Sequence, residues 1–375
     1  MIRAASPSIT NLEKKFVMDA LTNGWGANMS NYIDLFIKNF KKLCGKKYIL
    51  TTANCTSAIH LALLSIGVKR GDEVIVPDLT WVASVSPITY LGAKPIFADV
   101  EKDSFCISVK SLKKNITKKT RAIIVVDLLG NMPEWEKILK LCKKKKIRII
   151  EDAAEALGAK YKNKVAGSFG EISVFSFNAT KLAMSGQGGC MCTNDKKLFL
   201  NAKLLSHHGM DKINQKKYYW SKIIGYQYNW SNIQAALAFA QIKRIKFLLS
   251  KKKQIFFNYK KILKKNPNFS INEKIKSVNQ SYWISYLTFK GEKKIKKETI
   301  ISLFNKKKIE IRPMFYPVSS MPAFKRYVNS KKIKKENNNS YDISKKSFCL
   351  PSGNNITLKD QTKVIMELTK IFDTI

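Results

Sequence analysis

The stretch DEVIVPDLTWVASVSPITYLGAKPIFADV (72–100) decides the fold. DEVIVPDL (72–79) and KPIFADV (94–100) are short apolar runs rich in β-branched residues, which read as strands buried on both faces. Residues 82–91 between them read as a helix. Strand, helix and strand at this spacing belong to a parallel sheet covered by helices. The rhythm continues on both sides. NCTSAIHLALLSIG (54–67) reads as a loop whose hydroxyls cap an amphipathic helix. RAIIVVDLL (121–129) is a strand followed by a helix over 133–145, and IRIIEDAAEALG (147–158) is a strand running into a loop. EISVFSF (171–177) and GGCMCTN (188–194) form a closing strand pair, and a helix is expected over 231–249. The expected class is α/β: a large domain, 1–248, with a mostly parallel, helix-covered sheet, and a smaller C-terminal α+β domain, 249–375. In the latter SYWISYLTF (281–289) reads as one strand and the Asn/Lys-rich segment 330–340 as a surface loop.

Composition narrows the function classes. The chain has 375 residues, 45% hydrophobic and 25% charged, which suits a globular protein and excludes disordered, collagen-like and disulfide-stapled chains. No apolar run approaches the roughly 20 residues of a membrane span. The opening MIRAASPSITNLEKKF lacks the apolar core of a secretory signal. Seven scattered cysteines, with only Cys190 and Cys192 close neighbours, fit a reduced, cytoplasmic protein. The formal charge is +41, yet only seven of the 68 basic residues are arginine. Nucleic-acid binders lean on arginine and cluster their charge. Here lysines are spread in short runs (143–146, 251–253, 306–308), as on solvated faces. A regulatory or nucleic-acid-binding protein is the rival class, but no helix-turn-helix or aromatic-basic patch supports it. The positive field suits an anionic small substrate.

In a chain so rich in lysine, the places without it are informative. Residues 48–68 and 71–93 contain none, and 165–195 contain only Lys181. These windows are expected to meet in the core, with Lys181 as the single ammonium admitted, because burying a charge is costly. A buried lysine is a usable nucleophile or base. Ligands of parallel α/β sheets sit beyond the carboxyl ends of the strands, where Asp152 ends its strand. Thr56 and Ser57 at a helix start offer a phosphate cradle. Ser176 adds a hydroxyl and Trp81 a flat face. Lysine, carboxylate, phosphate cradle and aromatic plate together describe a pyridoxal phosphate site. No metal ligand set is expected.

The motifs NGWGAN (23–28), NCTSAIHLAL, GDEVIVPDLTWVAS, YLGAKPIFADV, EDAAEALGA, GSFGEISVFSFNATK, GQGGCMCTND and SNIQAAL occur in the order found in DegT/StrS-type sugar aminotransferases, which the chain resembles over nearly its whole length. The resemblance implies the aspartate aminotransferase fold, pyridoxal 5'-phosphate, and a homodimer with shared active sites. It makes Lys181 the Schiff-base lysine, Asp152 the partner of the pyridine nitrogen and Glu155 the residue beside the ring hydroxyl. Trp81 becomes the stacking aromatic, and Thr56, Ser57 and Ser176 the phosphate contacts. Gln227, in a GYQYN loop where relatives commonly read Gly-x-Asn-x-Arg, is implied to reach the partner's cofactor phosphate. Trp25 and Arg312 are the implied substrate contacts. The implied reaction moves an amino group from L-glutamate to a nucleotide-linked 4-keto-6-deoxy sugar, in the perosamine-synthase-like branch that serves surface polysaccharides such as lipopolysaccharide O-antigen. A branch that aminates C8 of an eight-carbon ketosugar acid is the alternative.

Overall fold

The computed structural model describes residues 1–210, 218–264, 266–291 and 296–374. The chain begins α1 (Asn11–Asn23), α2 (Asn31–Cys44), β1 (Tyr48–Thr52), α3 (Cys55–Ser65), β2 (Glu73–Pro77), α4 (Ser86–Tyr90), β3 (Lys94–Ala98), α5 (Val109–Asn115), β4 (Thr120–Val126), α6 (Trp135–Lys145). It continues β5 (Arg148–Asp152), β6 (Lys160–Tyr161), β7 (Lys164–Val165), β8 (Ile172–Ser176), β9 (Gly189–Thr193), α7 (Lys196–Ser206), α8 (Asn232–Lys243), α9 (Ile245–Leu263). The C-terminal part holds β10 (Phe269–Ile271), β11 (Val278–Asn279), β12 (Tyr286–Phe289), α10 (Lys297–Lys306), β13 (Arg312–Pro313), α11 (Ser330–Glu336), α12 (Asn338–Lys346), β14 (Ser347–Cys349), α13 (Leu358–Thr374).

The main sheet has the order β1-β9-β8-β5-β4-β2-β3. Its pairs from β3 to β8 are parallel, and β9 runs antiparallel to both β8 and β1. Helices cover both faces, so β2, β4 and β5 are buried almost throughout, as their unbroken apolar runs require. The strand reading of 72–79, 94–100, 121–129, 147–152, 171–177 and 188–194 therefore holds to within a few residues. A four-stranded sheet, β10-β12-β14-β13, supports a second core around Tyr259, Leu287, Phe304, Val364 and Leu368.

Five expectations need correction. The helix over 82–91 is a 3-10 turn at 82–84 followed by the short α4, because Pro87 is tolerated only in a first turn. The helix over 231–249 opens with a capping box of Ser231 and Gln234, but it breaks at Arg244 (φ −100°, ψ 11°) and restarts as α9. Only the end of SYWISYLTF, Tyr286–Phe289, is strand. Segment 330–340 is no surface loop: it forms α11 and the start of α12, with Asn337 and Ser340 buried as partners of carboxylates in the large domain. Lys181 is also not the only ammonium inside, since Lys46, Lys252 and Lys297 are buried more deeply. Carbonyl oxygens compensate them: Lys46 Nζ donates to Ser168 O and Gly170 O, and Lys252 Nζ to Ser352 O. Carbonyl acceptors, joined by the nearby Glu151 charge for Lys46 and the Glu298 charge for Lys297, admit these ammoniums, and lysine counts along the sequence do not register that.

The first residues lie against the C-terminal part. Ile2 N donates to Lys308 O and Glu310 N to Ile2 O, both at 2.9 Å. Ser352 N donates to Ala4 O (2.9 Å) and Asn354 N to Ser6 O (3.2 Å). Among the described residues no helix is long and apolar enough to cross a membrane. The seven cysteines are free and buried.

Candidate active site

The carboxyl ends of β5 and β8 gather the titratable groups. Asp152 closes β5, and its buried carboxylate accepts Ser84 Oγ (2.7 Å) at Oδ2 and Ala154 N (3.1 Å) at Oδ1. Burial raises its pKa, while the Ser84 hydroxyl, the Ala154 amide and the Lys181 charge oppose that rise. Three residues on, Glu155 is held by two contacts. Its Oε2 accepts Leu129 N (2.9 Å), and its Oε1 meets Lys181 Nζ at 3.1 Å. Leu129 can present that amide because it sits in a left-handed conformation (φ 55°) after β4. The Lys181 side chain is 14% exposed, and its ammonium lies 4.3 Å from the centre of the Trp283 ring. Trp283 is anchored in turn by donating Nε1–H to Thr180 O (2.9 Å).

The helix start lies beside this cluster. Cys55, the first residue of α3, is buried against it; burial lifts its thiol pKa and the Asp152 charge lifts it further. Asn54, not a hydroxyl residue, is the cap: its Oδ1 accepts Ser57 N (2.8 Å) and Ser57 Oγ (3.0 Å). Thr56 and Ser57 thus stay on the first turn, lining a depression of about 320 Å³ with Asn54, His60, Tyr90 and Tyr228. Ser176 pairs with Gly189 across β8 and β9. A Cβ added to Gly189 would stand 2.5 Å from Cys55 N, so this strand end needs glycine to pack against the helix start. The structure therefore brings Lys181, Glu155, Asp152, Thr56, Ser57 and Ser176 together around Cys55. Trp81 is tied to them through Ser84 of the same turn and shows an open ring face, 57% exposed.

Three expected residues stand further out. Gln227 lies exposed on the segment whose Tyr228 borders the depression. Trp25 is 63% exposed, with Nε1 bonded back to Leu21 O. Arg312, on β13, approaches Glu310 at 3.5 Å, and the buried Cys349 thiol opposite it feels the charges of both Glu155 and Arg312. Residues not foreseen are Ser84, Cys55, the Leu129 amide and Trp283. Ser84 stood within the quoted TWVAS motif; Trp283 comes from about a hundred residues away and carries no local signal.

The donor set fits pyridoxal phosphate. It offers an amine for the aldehyde, a buried carboxylate for a ring nitrogen, an open indole face for a flat ring, and hydroxyls at the start of an eleven-residue helix for a phosphate. Such a site on a parallel sheet defines a pyridoxal phosphate-dependent aminotransferase. Residues 7–369 match the DegT/DnrJ/EryC1/StrS aminotransferase family, and the chain belongs to it. It is thus a sugar aminotransferase that uses pyridoxal phosphate. Over 319 residues it is 40% identical to the GDP-perosamine synthase of Escherichia coli O157:H7, covering 85% of each chain. Helicobacter pylori PseC, an aminotransferase involved in the biosynthesis of pseudoaminic acid, superposes with a TM-score of 0.91 at 27% identity over the full length of both chains. A Streptococcus pneumoniae protein described as a sugar aminotransferase, in its PMP form, gives a TM-score of 0.92 at 24% identity over both full chains, a likeness of fold.

Proposed function

We propose that the chain transfers an amino group from L-glutamate to a GDP-linked 4-keto-6-deoxy sugar. The reading is supported by the 40% identity to a GDP-perosamine synthase over 85% of each chain. It further assigns the protein to a cytoplasmic homodimer in the synthesis of an amino sugar for surface polysaccharide. The single observation that carries the chemistry is the Lys181 amine, 3.1 Å from Glu155 in the same cluster as the buried Asp152.

Pyridoxal phosphate supplies a carbonyl carbon and an electron sink through which an amino group changes owner. Lys181 Nζ holds the cofactor and, once released, takes and returns the proton at the amino-bearing carbon as general base and acid. Asp152, oriented by Ser84 and the Ala154 amide, would hold the ring nitrogen and keep it protonated when the cofactor is bound. Glu155, fixed by the Leu129 amide, orients the Lys181 amine and would meet the ring hydroxyl of the bound cofactor. Trp81 would stack on the ring, and Thr56, Ser57 and Ser176 would hold the phosphate, with Gln227 of the partner subunit reaching it. Trp25 and Arg312 meet the sugar nucleotide.

The test is one absorbance experiment on the loaded protein. L-Glutamate should discharge the yellow band, and GDP-4-keto-6-deoxymannose in the same cuvette should restore it. Recovery only with an eight-carbon ketosugar acid would transfer the reading to that branch. Lys181→Ala should show neither change; turnover retained in that variant would overturn the assignment of the amine.

A further inference from the structure

Residues 312–319 form an arm that leaves β13 and crosses the carboxyl end of β2. Arg312 stands at its start. Phe315 lies 6.0 Å from Trp81, ring centre to ring centre. Pro317 bridges to Leu79, and Val318 N donates to Asp78 O at 2.8 Å. Two buried charged side chains grip this arm from opposite sides. From the large domain, Asp78 Oδ1 accepts Ser319 N (2.8 Å), and Oδ2 accepts Ser319 Oγ (2.7 Å) and Asn337 Nδ2 (2.9 Å). From the small domain, Lys297 in the first turn of α10 donates to Met314 O (3.1 Å) and to Ser344 Oγ (3.0 Å). Its ammonium also lies 4.3 Å from the centre of the Tyr316 ring.

Neither charge is needed to fill space. Burial pushes the Asp78 carboxyl up and the Lys297 ammonium down to about 8, so both are held against a desolvation penalty. What they gain is register. Asp78 lies three residues before Trp81, so anchoring Ser319 on it sets the arm directly against the loop that carries the indole. Lys297 fixes Met314 O, next to Phe315. We propose that Asp78 and Lys297 are positioning residues that hold the arm, and thereby set the gap between Phe315 and Trp81 and the placement of Arg312 that a sugar nucleotide must fit. This rests on the reading that the arm borders the sugar substrate.

Asp99 supplies the control. It binds the neighbouring segment in the same style, accepting Asn339 N, Ser340 N and Ser340 Oγ at 2.7–3.1 Å, and none of those donors is on the arm. In Asp78→Asn no orientation of the amide serves every donor: its NH2 must face either Ser319 N or the Ser319 hydroxyl and Asn337. Lys297→Met keeps the chain length and removes both donations. It also relieves a buried cation, so its melting temperature should not fall and weaker binding could not be attributed to unfolding.

The experiment uses the full chain loaded with pyridoxal phosphate. Amide hydrogen exchange is read at Met314, Val318 and Ser319, and the two half-reactions are measured separately. Asp78→Asn and Lys297→Met should each speed exchange in the arm and raise KM for GDP-4-keto-6-deoxymannose by about tenfold, the weight of one buried hydrogen bond. The glutamate half-reaction should stay within about twofold of the parent, since it does not use the arm. Asp99→Asn should change neither exchange in the arm nor KM. Unchanged exchange, faster exchange with unchanged KM, or equal losses in both half-reactions would each overturn the proposal. If the parent turns over no nucleotide-linked keto sugar, the substrate reading has failed, and unchanged exchange in both variants then overturns the grip itself.

Discussion

Lys252 gives the most quantitative prediction. It lies on α9, buried, with its ammonium donating to the Ser352 carbonyl. Burial lowers its pKa from 10.5 to about 8. At about 1.4 kcal/mol per pH unit, that difference is worth about 3 kcal/mol between the charged and neutral forms. The sign follows from linkage. A lysine depressed in the folded state adds its stability above pH 10.5 and loses it as pH falls to about 8; below that value the term is constant. Replacing Lys252 with Met removes the titration and keeps the chain length. Urea unfolding of the parent and Lys252→Met should be followed from pH 7 to 11, and the difference in stability plotted. All other lysines and tyrosines cancel in that difference. The parent should gain about 3 kcal/mol on the variant across the range. Near pH 7 the variant should be the more stable protein, since shedding the charge outweighs a hydrogen bond of about 1 kcal/mol. A difference that stays flat with pH would refute the reasoning.

Three further outcomes are expected. Asp152→Asn should keep the fold, yet slow turnover by about 100-fold or more in steady-state assays, because the buried negative charge is lost from the ring side. Glu13→Gln should destabilise by about 3 kcal/mol at pH 7, because the carboxylate serves Thr10, Gln241 and Arg244 at once. Although burial alone would raise the Glu13 pKa, the bonds from Thr10 and Arg244 lower it below 4.5. Its contribution is therefore present above that value and lost as pH falls below it, so parent and variant should converge in acid melts. Gly189→Ala should weaken cofactor binding by about tenfold in a pyridoxal phosphate titration, since its Cβ would press on Cys55 N and shift the helix start that carries Thr56 and Ser57.

The large sheet was legible because its signals are local. Strands such as VIV at 74–76 and AIIVV at 122–126 are apolar without a break, and a strand buried on both faces leaves no other composition open. Lys181, Glu155 and Asp152 were singled out through motif order, but the contact of Lys181 with Glu155 was not foreseen. Contacts whose two halves lie far apart in sequence were not. Trp283 under Lys181, and Asn337 on Asp78, join residues about a hundred or more positions apart, and neither partner advertises the other. Segment 330–340 was misread for the same reason: its composition suits a solvated loop, and nothing local marks Asn337, Asn339 and Ser340 as donors to the buried Asp78 and Asp99. The break at Arg244 is similar, since its guanidinium meets Glu13, a partner more than 200 positions away.

The pairing of residues 2–6 with 308–310 and 352–354 bears on how the chain folds during synthesis. Residues 2–6 leave the ribosome about 300 residues ahead of the segments they pair with. At about 5–20 residues per second the leading segment waits of the order of 15–60 s before the C-terminal core can close over it. Closing so long a loop carries an entropic penalty that grows only slowly with its length, so the delay is mainly one of time. The parallel sheet, whose strands run from 48 to 193, can assemble meanwhile. Emergence of residues 308–310 and 352–354 is then the event that ties the leading segment to the C-terminal core.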